Sequence, residues 1–450
     1  MKTPVNTNWG KVSKNQARFC IIDSPNYRIK RFLLYNGLMK IALLGHGKEG
    51  QSIEQYFKSH YDDVEFDIFE DFKYDEIKDN DYSSYDIVFR SPSVPPLHLP
   101  NESSVTKYFF DHCPCPIIGV TATKGKGTIC SFIKALLDAE HIKSYLVGNI
   151  GVPAIDILDS LTEESVVVYE MSSFQLWDLT KSPHIAVIGH LEPDHLNVHA
   201  DYADYLAAKA NITKYQTNKD YVIFNQNNTE AVKIALTSSA IRIAYPFNVY
   251  DDIEKVIKDY VVIPGRHNQE NAMAAIAAVA NYKNISPDEY LRHYERTIQR
   301  GLSTFLGLPH RLEFLRELNG VKYYDDNFST NPSSLRVAIN AFPNTNLVTI
   351  VGGRDKTKNE DLPEIYQILQ NPNIKKIVLI GESGHAFVKK YQDPRFIIAY
   401  SLQNAVEIAR KEAEKIAPAT VVMSPAAASF DMFKNVYDRG EQFKLLINHL

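Results

Sequence analysis

Short apolar runs rich in β-branched residues alternate along this chain with segments whose apolar positions recur three and four apart. The first pattern marks buried strands and the second amphipathic helices. Met39–Leu44, Val64–Phe69 and Tyr85–Phe89 read as strands, with a helix over Gln51–His60. Ile117–Val120 is a further apolar run, followed by a Gly/Thr/Lys turn. Ile129, Phe132, Ile133, Leu136 and Leu137 then fall at helical spacing. A buried strand from Ser165 delivers Glu170 at its C-terminal end, and Ile185–Ile188 is the next strand. Ala203–Tyr215 and the alanine-rich Ala272–Ala280 read as helices. Beyond residue 299 a strand pair spans Leu312–Tyr324 and a helix runs to Asn340. Strands follow at Leu347–Val351, Lys376–Ile380 and Thr420–Met423. Strands alternating with helices predict an α/β protein with mostly parallel sheets.

At 450 residues the chain is too long for one core. The pattern divides it into an extension (1–38), a first α/β domain (39–101), a central domain (102–298) and a C-terminal domain (299–450), with hinges expected near 101 and 299. The extension carries many Lys, Arg and Asn without clean periodicity. Met39 opens the first strand, and the mature domain, or translation itself, is expected to begin there. Hydrophobic residues make up 44% and charged residues 23%, with a net charge of −5, so nothing points to nucleic acid. No apolar run approaches the ~20 residues of a membrane span, and there is no secretory signal. Cys20, Cys113, Cys115 and Cys130 lack zinc spacing and read as unpaired thiols of a reducing compartment. A cytoplasmic protein is expected.

The candidate chemistry lies at strand ends. Gly45-His46-Gly47-Lys48-Glu49-Gly50 fits G-x-G-x-x-G after the first strand, a weak nucleotide signal, and Ser91 opens the turn after the third. Thr121–Thr128 (Thr-Ala-Thr-Lys-Gly-Lys-Gly-Thr) has the strand–loop–helix setting of a phosphate-binding loop. There glycines let backbone N–H groups approach phosphate, and a lysine reaches the outer phosphates. The strict pattern has Gly where Val120 stands and Ser or Thr where Gly127 stands. Thr128 is the adjacent hydroxyl for Mg²⁺. Glu170, and the Asp and His of His190–His195, are hard ligands at two strand ends. Singly, each is more often a surface turn residue. Lys209, on a helix of small residues, would ordinarily be a solvated charge. Asn268 and Asn271 could cap a helix or meet a purine edge.

Taken in order, Gly148–Gly151, Glu170–Gln175, Asp194-His195, Leu206–Lys209, Gly265–Asn268, Gly307–Arg311 and Ser424–Asp431, with Phe433–Asn435 and Arg439-Gly440, resemble the motifs of the Mur ligases. The resemblance runs from about Met39 to the C-terminus. It implies a Rossmann-like UDP-binding domain, a central P-loop ATPase domain and a Rossmann-like C-terminal domain. It also implies ATP-dependent amide synthesis through an acyl phosphate, with UDP-N-acetylmuramoyl-L-alanine and D-glutamate as substrates. Lys126 would touch the β/γ-phosphates within a loop of Thr123, Lys124, Gly125, Gly127 and Thr128. Thr128 and Glu170 would serve one Mg²⁺ and His195 a second, and Lys209 matches the lysine this family carbamylates. Asn268 and Asn271 would face the nucleotide, Arg311 its phosphates, and Asp326 the ribose or metal shell. Gly45, Gly47 and Ser91 would hold UDP, and Asn149, Ser172 and Gln175 the muramoyl-peptide end. Thr330, Lys356, Ser429 and Phe430 would hold the amino acid. Phe328 and Val436 stand where this subgroup commonly has a lysine and an aromatic. A monomer without nucleic-acid or membrane partners is expected. The alternatives are the same chemistry with another amino acid or acceptor, including folylpolyglutamate ligases, and a nucleotide-binding protein that no longer catalyses.

Overall fold

A computed structural model describes residues 38–70, 72–247, 257–354 and 360–450. The extension and Lys356 therefore lie outside the described residues, apart from Leu38. Two compact units meet at Val105 and Thr106. The first holds a four-stranded parallel sheet of β1 (Met39–Leu44), β2 (Val64–Phe69), β3 (Ile87–Arg90) and β4 (Glu102–Ser104), in the order β2-β1-β3-β4. The sheet runs past residue 101, because Val88 pairs with Glu102 and Arg90 with Ser104. Ile41, Ala42, Leu43 and Leu44 of the inner strand are all buried, which is why it reads as one continuous apolar run.

The second unit contains two six-stranded sheets. The first is built from β5 (Ile117–Thr121), β6 (Ser144–Gly148), β7 (Val166–Glu170), β8 (Ile185–Ile188), β9 (Tyr221–Asn225) and β10 (Ile241–Tyr245), ordered β10-β9-β8-β5-β7-β6. Every pair is parallel. Helices Lys126–Ala139, Arg266–Tyr282 and Glu295–Thr304 supply much of its core. Ala272, Ala274, Ala275, Ala277, Ala278 and Ala280 are fully buried, so small side chains let the Arg266–Tyr282 helix pack closely. The boundary expected at 299 falls inside a helix whose Ile298 and Leu302 belong to this central core. A Cβ on Gly301 would lie 2.8 Å from Leu136 Cδ2, a close helix crossing that ties this segment to the central sheet rather than to the next.

The last sheet comprises β11 (Glu313–Leu318), β12 (Val321–Asp325), β13 (Asn346–Gly352), β14 (Ile374–Ile380), β15 (Phe396–Ile398) and β16 (Ala419–Met423), ordered β11-β12-β16-β13-β14-β15. Only the hairpin partner β11 is antiparallel. Strand order reverses beside β5 in the central sheet and beside β13 in this one. The loops leaving those strands therefore open into crevices at the C-terminal sheet edges, where α/β proteins bind ligands. The strands β4, β6, β9, β10 and β15 were not anticipated. β10 and β15 are edge strands with exposed or half-buried residues, so their apolar signal is weak.

Candidate active site

The β5 loop is stitched down on both sides. Thr123 N donates to His190 O at 2.7 Å, and Thr123 Oγ1 to Glu192 O at 3.0 Å. Gly125 has φ +88°, and a Cβ there would sit 2.9 Å from Asn271 Oδ1, so Asn271 lies against the loop and glycine is required. The Lys126–Ala139 helix begins one residue on. Lys126 folds back, its Nζ donating to Ala122 O (2.9 Å) and Thr123 O (3.2 Å). Lys124 bridges Glu192 (2.6 Å) and Ser333 Oγ (3.0 Å), joining the loop to the helix Pro332–Asn340. At Gly127 a Cβ would meet Leu308 Cδ1 at 2.8 Å and Glu170 Oε2 at 3.4 Å. The space a side chain would take at this position is filled by Leu308, and the backbone runs beside the carboxylate. Thr128 follows in the helix, half-buried.

Register pairs Val120 with Glu170, which places Glu170 beside the start of the loop. Burial raises its carboxyl above the usual range, and Lys126, Arg311 and Lys209 pull it partly back. Among the described residues, none hydrogen-bonds this carboxylate. A buried carboxylate with cations around it and no donor fits a divalent ion that needs oxygen ligands. Lys209 is not a solvated charge: it is 1% exposed, its Nζ donating to Thr121 Oγ1 (3.1 Å) and Ala122 O (3.0 Å), over the Tyr205 ring. Burial, then the nearby Lys126, holds its ammonium well below the ordinary lysine range. Burial likewise lowers Lys126. The geometry thus gathers two desolvated lysines and a desolvated carboxylate at one sheet edge.

Other expected residues fall at the same edge or are engaged elsewhere. Asn149 N donates to Glu170 O at 3.3 Å, and the side chain is exposed. His195, at φ +55°, is half-exposed, 5.0 Å from the Phe174 ring and 3.5 Å from Asp194. Ser172 and Gln175 face one another as the capping box of the helix Ser173–Leu176. Asn268 Nδ2 donates to Pro264 O, and Asn271 Nδ2 reaches Asn268 Oδ1 at 3.4 Å. Arg311 is exposed, with its guanidinium 5.7 Å from the Phe328 ring. Asp326 is buried, accepting from Leu312 N (3.2 Å) and Ser424 Oγ (2.8 Å); burial pushes its carboxyl up to about 7. At the C-terminal sheet edge, Ser429 Oγ is buried without a partner among the described residues, Thr330 is half-buried and Phe430 exposed. Phe328 packs on His310 at 5.3 Å and Tyr437 at 5.2 Å. In the N-terminal unit, Gly45 (φ +89°) faces Ser91, whose Oγ occupies the place a Cβ would take. Gly47 opens onto space at the start of the helix Lys48–His60.

The structure adds contacts around the site that the sequence reading did not give. Asp194 acts electrostatically on both Lys126 and Lys209, and Thr121 Oγ1 holds Lys209. His199, buried, joins Ser173 and Asp204. His310 pairs with Asp325 at 2.7 Å, and Arg439, fully buried, binds the carbonyls of Asn327, Ala427 and Ala428. Asp194 and Arg439 stand inside quoted motifs. Their pairing crosses long sequence separations, which spacing alone does not report.

Residues 120–279 match the Mur ligase middle domain and residues 310–427 the glutamate ligase domain of Mur ligases. A UDP-N-acetylmuramoylalanine–D-glutamate ligase of Clostridium kluyveri is 34% identical over 406 residues, covering 82% of this chain and 84% of that protein. A ligase of the same name from Clostridium botulinum is 30% identical over 94% of this chain and 99% of its own. Among solved structures, the MurF ligase of Thermotoga maritima in complex with ADP superposes with a TM-score of 0.55 at 13% identity, covering 92% of this chain and 96% of that one. A MurF of Acinetobacter baumannii gives 0.53 at 16% identity over 76% and 79%. These two show a shared fold. With the motifs, the match of both domains and relatives 30–34% identical over most of their length, the chain belongs to the Mur ligase family.

Proposed function

We propose that this chain is an ATP-dependent ligase that joins D-glutamate to UDP-N-acetylmuramoyl-L-alanine in peptidoglycan precursor synthesis. The observation that carries the reading is the meeting of the β5 loop, Glu170 and Lys209 at one sheet edge, in a chain whose full-length relatives bear that activity's name. ATP would supply the γ-phosphoryl to the substrate carboxylate, giving an acyl phosphate and ADP. The amine of D-glutamate would attack the acyl carbon and phosphate would leave. Such a transfer between anions needs positioning and charge neutralisation rather than a nucleophilic side chain.

Glu170 and Thr128 would hold one Mg²⁺, and His195 with Lys209 a second; bound metal would neutralise phosphate charge. Burial favours the neutral form of the Lys209 amine, the form that attacks CO₂ to give a carbamate with release of one proton. The product is an anion suited to a metal ligand. Lys126 would turn from its loop carbonyls to the β/γ-phosphates, with Thr123, Lys124, Gly125 and Gly127 around it and Asn268, Asn271, Arg311 and Asp326 about the rest of the nucleotide. Gly45, Gly47 and Ser91 would take UDP, and Asn149, Ser172 and Gln175 the muramoyl-peptide. Thr330, Ser429 and Phe430, with Lys356, would hold the amino acid. The reading expects a cytoplasmic monomer, and no described helix is long and apolar enough to cross a membrane.

The test is phosphate release from ATP with UDP-N-acetylmuramoyl-L-alanine present, screening single amino acids. Release dependent on D-glutamate is expected. Release with another amino acid would keep the reaction and move the substrate, with Phe328 the first residue to examine. No release with any amino acid would overturn the ligase reading.

A further inference from the structure

Cys113 and Cys115 take no part in the site above. They flank Pro114 in a Cys-Pro-Cys-Pro segment between the helix Val105–His112 and strand β5. Their sulfurs lie 3.6 Å apart, and Cys113 Sγ also lies 3.5 Å from Cys115 O. Both residues are partly exposed, whereas Cys130 is fully buried on the Lys126–Ala139 helix. The segment is held in shape. Proline fixes φ at 114 and 116, and the residue before each proline is restricted to extended backbone. Cys113 N is bonded to Phe109 O at 2.8 Å and Pro116 O accepts from Val167 N at 3.1 Å, so both ends are anchored.

We propose that Cys113 and Cys115 form a vicinal dithiol that undergoes thiol–disulfide exchange, one attacking and the other resolving. Two sulfurs 3.6 Å apart and partly open to solvent are neighbours close enough to bond. The co-reactant is a low-molecular-weight disulfide. The thiolate of one cysteine attacks one of its sulfurs; the S–S bond breaks, a mixed disulfide forms on that cysteine and one small thiolate leaves. The other cysteine then gives up its proton and attacks the bonded cysteine sulfur, expelling the second small thiolate. The chain is oxidised by two electrons and the small disulfide reduced to two thiols.

The experiment treats the full-length chain with oxidised glutathione under native conditions and reads the intact mass and a peptide map. The expected product has lost two hydrogens, carries no retained glutathione at 113 or 115, links those two residues, and leaves Cys130 a thiol. Cys115→Ala should then trap one glutathione on Cys113, and Cys113→Ala one on Cys115. Separate adducts on both cysteines of the parent chain, no reaction, or a link from either residue to Cys20 would overturn the dithiol.

Discussion

The two C-terminal sheet edges of the larger unit handle charge in opposite ways. At the central edge, Lys126, Lys209 and Glu170 are desolvated and under-partnered: the lysines donate only to loop oxygens, and no described residue donates to the carboxylate. At the last sheet, buried charge is consumed internally. Asp325 holds His310, Asp326 takes Leu312 N and Ser424, and Arg439 is used up on three backbone carbonyls and Asn327. What is left over there is mostly hydroxyl, Tyr323, Ser329, Thr349 and Ser429, without partners among the described residues, together with Asp431 Oδ1, whose other oxygen accepts from Glu382 N. Burying an ion without compensation is costly, so it persists where ligands complete it; a satisfied network is framework. The difference separates a place for phosphoryl chemistry from a scaffold that presents a small polar surface.

Substitutions that break this contrast rank by how much uncompensated charge they touch. Glu170→Gln should lower kcat by roughly a thousandfold, about 4 kcal/mol of barrier, in an ATP-turnover assay. Thermal unfolding at neutral pH should not show a loss. A carboxyl raised on folding is penalised once the pH exceeds its unfolded value, and glutamine removes that penalty. Lys209→Ala should cost about a hundred- to a thousandfold in kcat. Formate or acetate should restore part of it and bicarbonate none, because the missing group is an anion on a lost side chain. At the other edge, Arg439→Leu should instead lower stability by about 3 kcal/mol or more, read in denaturant unfolding, by orphaning buried carbonyls.

Smaller effects sharpen the same contrast. The Asp326 carboxyl, near 7 folded against ~3.9 unfolded, contributes stability that is complete below the unfolded value and lost as pH rises through about 7. Asp326→Asn keeps an acceptor for Leu312 N and cannot ionise. Its melting temperature relative to the parent should therefore climb between those pH values. Lys124→Met, which removes the half-exposed contacts to Glu192 and Ser333, should change stability by less than about 1 kcal/mol. A larger loss would mean that this bridge organises the two sheets.

Much of this was legible in the sequence. The β5–loop–helix unit, Glu170 at the end of β7 and the strands of the last sheet other than β15 came from apolar periodicity, and the candidate site from motif order. What was not legible depends on distant partners. Lys209 reads as a surface lysine among alanines; only the three-dimensional approach of Thr121 and Ala122 shows it buried. Gly127 reads as a missing hydroxyl, yet the space beside it belongs to Leu308, far away in sequence. The helix Glu295–Thr304 looked like the start of a new domain because its apolar stripe does not name the core it packs on.

The state of Lys209 tests the account most directly. Wild-type protein and Lys209→Ala would be equilibrated with carbon-isotope-labelled bicarbonate at neutral pH and compared by carbon NMR. The account predicts a protein-bound carbamate resonance in the wild type that is absent from the variant and lost, together with turnover, when CO₂ is removed. No such resonance, with full turnover under CO₂-free conditions, would contradict it and leave Lys209 a buried amine that serves packing alone.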